Sequence, residues 1–168
     1  MKKILIAIAL LATAASTASA ANMRVVIRNS NDRYYSATNG GGSSIYANRV
    51  SSQGEWEKFL LVDLNGGALM SSDWICIETW HRYYIVAEGG GGSVVKADRT
   101  NCGPWEKFRI WKLDDYGRRT TGAITVPGRI ALQASGGHYV SVERDGRGSV
   151  VANRTAIGPW ERNVIFGW

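Results

Sequence analysis

From residue 24 onward the apolar residues fall in short runs that are rich in β-branched and aromatic side chains and broken by polar or glycine-rich stretches. Four such runs are clearest near the C-terminus: Arg129-Ile130-Ala131-Leu132-Gln133, His138-Tyr139-Val140-Ser141-Val142, Ser149-Val150-Val151-Ala152 and Asn163-Val164-Ile165-Phe166. Their length and composition predict strands. No segment shows apolar positions at helical spacing with caps, so the chain reads as all-β. Between the second and third runs lie Asn39-Gly40-Gly41-Gly42, Glu88 through Gly92, and Arg144-Asp145-Gly146-Arg147-Gly148. These supply the positive φ that tight hairpins need. They are turns and not phosphate cradles, which would have to open a helix.

The four-run pattern is written three times, over about 24–73, 74–126 and 127–168. Tyr35-Ser36-Ala37, Ala47-Asn48-Arg49 and Trp56-Glu57-Lys58-Phe59 recur as Tyr84-Ile85-Val86, Ala97-Asp98-Arg99 and Trp105-Glu106-Lys107-Phe108. They return as Tyr139-Val140-Ser141, Ala152-Asn153-Arg154 and Trp160-Glu161-Arg162. Aligned on Tyr35, Tyr84 and Tyr139, each copy places its Trp 21 residues on, so insertions are expected between copies and not within them. A repeat of about 50 residues marks pieces that must share one core. Twelve strands in three four-stranded units predict a single β-trefoil domain, a six-stranded barrel closed at one end by three hairpins, which leaves no open sheet edge. Three blades are too few to close a propeller.

The repeated Ala-Asn/Asp-Arg and Gly-Pro-Trp-Glu motifs resemble the fascin-like branch of the β-trefoils, over nearly all of residues 24 to 168, in its secreted, single-domain, bacterial-type form. That branch includes actin-bundling proteins built from several trefoils and modules attached to secreted carbohydrate-active enzymes. The resemblance therefore implies either glycan or protein recognition. The Gln-x-Trp signature of ricin-type lectins is absent, since Trp56 follows Gly54-Glu55 while Trp105 and Trp160 follow Gly-Pro. No sugar-binding residue of that branch carries over.

Residues 1–20 change the picture of where the protein works. Lys2-Lys3, the apolar run Ile4 to Ala12 and the small residues ending Ala18-Ser19-Ala20 form an export signal, with Ala21 the expected mature start and a secreted or periplasmic destination. The apolar run is too short for a permanent membrane span. Losing Lys2 and Lys3 lowers the formal charge from +6 to +4. The arginines are spread through all three copies and form no run, which argues against nucleic acid as a partner. In an oxidising compartment Cys76 and Cys102 are able to pair. Cys76 reads as a core strand position and Cys102 as a loop position, and the sequence leaves open whether they join.

The repeated Tyr and Trp residues are expected in the core. Glu57, Glu106 and Glu161 are expected to accept loop hydrogen bonds or to pair with Arg49, Arg99 and Arg154, since three carboxylates set apart by the repeat cannot make the close pair of a glycosidase. With two histidines and no nucleophile elbow, no enzyme is expected, and no metal ligand set or cofactor motif appears. Function is expected where the copies differ. Copy two departs most, through Trp80, His81, Arg82 and Tyr83, and its candidate ligand-binding set extends to Tyr34 and His138, aligned with Tyr83. Aromatic faces with polar neighbours suit a pyranose ring. A monomeric, non-catalytic, lectin-like protein that binds a polysaccharide or glycan is the leading expectation. A protein partner such as actin is the alternative, and protease inhibition through the basic pair in Asp114–Thr121 is the third.

Overall fold

A computed structural model describes residues 21–143 and 147–168. The expected export signal, and Arg144, Asp145 and Gly146 of the third expected glycine-rich turn, lie outside the described residues. Among the described residues thirteen strands form one antiparallel sheet. They are β1 (Met23–Asn29), β2 (Tyr34–Ala37), β3 (Ser43–Arg49), β4 (Lys58–Asp63), β5 (Trp74–Thr79), β6 (Tyr84–Ala87), β7 (Ser93–Arg99), β8 (Lys107–Leu113), β9 (Arg119–Thr120), β10 (Gly128–Ala134), β11 (Tyr139–Val142), β12 (Val150–Arg154) and β13 (Asn163–Gly167). Apart from Glu143, which borders the residues outside the description, helical structure among the described residues is limited to short 3-10 turns.

The twelve-stranded fascin-like β-trefoil is corrected here to a closed β-barrel. Pairing runs β1–β2–β3–β7–β12–β11–β10–β8–β5–β4 and returns to β1, a circuit of ten strands, with β6, β9 and β13 paired onto it. The repeat carries the shape of each local unit. It does not carry how strands of different units join, as in β3–β7 and β7–β12, and the stretch between copies two and three adds β9, a strand outside the repeat.

The interior is built by alternation. Val25 and Ile27, Phe59 and Leu61, Ile75 and Ile77, Phe108 and Ile110, and Ile130 and Leu132 are all buried in one cluster. The hairpins add Tyr35, Ala37, Ile45 and Ala47, then Ile85, Ala87, Val95 and Ala97, then Val140, Val142, Val150 and Ala152. At about 25 cal/mol per Å² of apolar surface removed from water, this cluster is the main source of stability. Cys76 and Cys102 form a disulfide that ties β5 to the loop after β7 across a separation of 26 residues.

Cross-strand partners also correct the alignment of the copies. Tyr34 lies opposite Arg49, Tyr84 opposite Arg99, and Tyr139 opposite Arg154. The equivalent tyrosines are therefore Tyr34, Tyr84 and Tyr139, while Tyr35 matches Ile85 and Val140. Copy one carries one extra residue between Arg49 and Trp56, an insertion inside the unit that the sequence alignment had placed outside it.

Candidate functional site

Strand β4 is the floor of an open cleft. Its outward row is Lys58, Leu60 and Val62, and the residues facing Leu60 on either side are Arg24 of β1 and Glu78 of β5. Two tryptophans stand just past the ends of flanking strands. Trp80 follows Thr79, which pairs with Phe59, and Trp168 follows Gly167, which pairs with Val25. Strand closure thus brings together residues from the second and third copies, with ring centroids 5.6 Å apart and planes inclined at 55°. The Trp168 indole N–H donates to the Phe59 carbonyl at 3.3 Å, fixing the ring. Trp80 and Trp168 are nevertheless 38% and 43% exposed.

The cleft holds about 410 Å³ and is also lined by Asn22, Arg82 and Tyr84. Lys58 Nζ lies 5.1 Å from the Trp80 ring centre and 5.0 Å from that of Trp168, and the Arg24 guanidinium lies 5.5 Å from the latter. Arg82 and Glu78 approach to 3.9 Å. Burial, and then the Glu78 charge, raise the Tyr84 phenol above its ordinary pKa. Chemically the cleft offers two partly exposed ring faces, cationic and amide donors, a phenol and one carboxylate acceptor.

Of the six residues singled out in the sequence, the cleft gathers Trp80 and Arg82. Tyr83 turns away to cover Gly41 and Gly42 of copy one: a Cβ on Gly41, whose φ is 130°, would lie 2.6 Å from the Tyr83 ring. His138 covers Gly91 in the same manner, with Nδ1 3.0 Å from the position a Cβ would take. His81 packs on Gly40 and donates its backbone N–H to the Gly40 carbonyl at 3.0 Å. Tyr34 is half-buried and, in the corrected register, is the counterpart of Tyr84; Arg33 is the counterpart of Tyr83 and His138. Trp168, Lys58, Arg24 and Tyr84 were missed. The one signal for Trp168 was that it is a tryptophan where the other copies have Leu64 and Leu113.

The repeated tryptophans are corrected from core to surface: Trp105 and Trp160 are exposed and Trp56 is half-buried. Each sits on a 3-10 turn at a corner where the repeated Arg meets the repeated Glu. Arg49, Arg99 and Arg154 point Nε at Glu57, Glu106 and Glu161 at 3.6, 3.6 and 3.9 Å. Glu106 and Glu161 also accept the N–H of Gly103 and Gly158, at 2.8 and 2.6 Å. The glutamates are architectural, as expected. The basic pair between copies two and three is occupied too. Arg118 is bound to Asp114 at 2.9 Å and Arg119 stacks 4.4 Å from Trp111. The N–H groups of Tyr116 and Arg118 donate to Asp114, and that from Arg118 leads in holding its carboxyl below the usual range.

Neither the protein-family models nor the curated proteins contain a match to this chain. Among solved structures it is similar to the SDF2-like protein of Arabidopsis thaliana, at 11% identity and a TM-score of 0.64, covering 89% of this chain and 94% of that one. This is a likeness of fold alone. It points away from the fascin-like family suggested by the repeated motifs, and that assignment is corrected accordingly. No helix among the described residues is long and apolar enough to cross a membrane.

Proposed function

We propose that the protein is a secreted or periplasmic, non-catalytic, lectin-like binding protein whose Trp80–Trp168 cleft receives a saccharide. The observation that carries this reading is the pair of tilted, partly exposed tryptophans on the wall of a cleft rimmed by polar groups. A pyranose offers one apolar C–H face and a ring of hydroxyls. The indole faces match the first, and Asn22, Arg82, Glu78 and Tyr84 match the second. Both tryptophans depart from the repeat, standing where other copies carry Ser30 and Ser135, or Leu64 and Leu113, so the common framework does not need them.

A glycan array followed by isothermal titration of the purified protein tests this. The expected result is binding to at least one wall, capsular or plant polysaccharide, weakened by Trp168→Ala with the melting temperature little changed. Absence of binding to every glycan at millimolar concentration would sink it.

A further inference from the structure

The three Arg–Trp–Glu corners are built alike, yet one is incomplete. In copy two, Arg99 Nη2 lies 3.0 Å from both oxygens of Glu88, and Nη1 lies 2.6 Å from Asp98. In copy three, Arg154 Nη2 meets Glu143 at 2.9 Å and Nη1 meets Asn153 at 2.7 Å. Copy one has Thr38 where the others have Glu88 and Glu143. Among the described residues Arg49 has only the shared Nε ion pair, with Glu57, and its side chain is 50% exposed against 36% and 34% for Arg99 and Arg154. The backbone is not the cause. Gly41, after the turn that begins at Thr38, has φ 130° and ψ 176°, and Gly91 in copy two has 129° and 177°. Among the described residues, the same frame therefore presents an arginine whose outer nitrogens lack the carboxylate that the protein itself supplies twice elsewhere.

We infer that the Arg49 corner is a second binding site, distinct from the Trp80–Trp168 cleft, and that it takes the carboxylate of an acidic saccharide such as a uronate. The carboxylate follows from the comparison of the copies, because a guanidinium edge of this geometry is matched by a carboxylate. The sugar body rests on the glycan reading above, and it is accommodated by an open pocket of about 460 Å³ lined by Ser51, Gln53, Glu55 and Trp56. The Arg49 guanidinium carbon lies 5.9 Å from the Trp56 ring centre, so the aromatic face and the charge adjoin.

The test follows the indole N–H signals by NMR while galacturonate, galactose or N-acetylaspartate is added. Trp56 reports this corner, and Trp80 and Trp168 report the cleft, so the two readings fail separately. Galacturonate is expected to move Trp56 saturably at millimolar concentration, with galactose leaving it in place. Thr38→Glu supplies the missing carboxylate internally and should weaken galacturonate about tenfold or more, the worth of a charge-assisted bond, while raising the melting temperature. Glu143→Thr should open the third corner and make Trp160 respond. Equal response to galactose, or undiminished binding by the Thr38→Glu variant, overturns the site. N-acetylaspartate binding as well as galacturonate overturns the saccharide as its ligand.

Discussion

Two surface clusters of this protein combine tryptophan with arginine or lysine, and they have opposite characters. On the face of β5 and β8, Arg109 lies 4.6 Å from the Trp74 ring centre and 5.7 Å from that of Trp111, and Arg119 covers Trp111 at 4.4 Å. The Trp111 indole donates to Gln133 at 2.9 Å. Each ring there is engaged by the protein's own cations, and both rings are half-buried. In the Trp80–Trp168 cleft, Lys58 approaches both rings but leaves much of their surface to solvent beside an open volume. Aromatic richness alone therefore does not mark a site. What marks it is a ring face left unfilled.

The comparison breaks most easily on stability. Trp111→Ala removes a half-buried ring, two cation contacts and a side-chain hydrogen bond, and is expected to cost about 2–3 kcal/mol, below the range for fully buried tryptophan. Trp80→Ala should cost about 1 kcal/mol or less in stability. Equal losses in urea unfolding of the two variants would show that the cleft is as much framework as the Trp74–Trp111 cluster.

Binding sharpens the same contrast from the other side. Trp80→Ala should weaken glycan binding by more than about 1 kcal/mol, as truncating a central aromatic anchor does, while Trp111→Ala leaves the dissociation constant unchanged once the variant is folded. A smaller difference is expected for the cations. Arg109→Ala should cost about 1 kcal/mol of stability, because its guanidinium lies close to two rings. Lys58→Gln, in the open cleft, should stay within about 0.5 kcal/mol.

The contrast also explains what could be read in the sequence. Strand positions were legible because alternation is local: Phe59 and Leu61, or Ile130 and Leu132, announce an inward face by spacing alone. The repeated Trp56, Trp105 and Trp160 were misread as core because repetition shows that a framework needs a residue, not that it is buried; they sit beside the Arg–Glu corners at the surface. The alignment slips by one residue because laying Tyr34-Tyr35 on Tyr83-Tyr84 matches two tyrosines where the true register matches one, and only the pairing of Tyr34 with Arg49 and of Tyr84 with Arg99 decides against it. The closed barrel and the meeting of Trp80 with Trp168 were out of reach for the same reason. Both depend on which strand edges join across long sequence separations, and no local pattern records that.

The smallest expected effect concerns the charges around Tyr84, and it distinguishes an open cleft from a sealed one. Burial comes first in raising this phenol, followed by the charge and hydrogen bond of Glu78, with Arg82 pulling the other way. A tyrosine raised above its ordinary pKa of about 10 destabilises the folded state only above that pH, where the unfolded chain releases its proton first and stability falls as pH rises. At neutral pH it changes nothing. Glu78→Gln removes two raising causes and should lower the Tyr84 pKa in an NMR titration, whereas Arg82→Gln should raise it. Added salt should shrink the Arg82→Gln shift, because Arg82 is solvent-exposed and acts through its charge alone. A shift unmoved by salt would mean that these charges interact away from solvent, and the cleft would lose its claim to be the open one of the two.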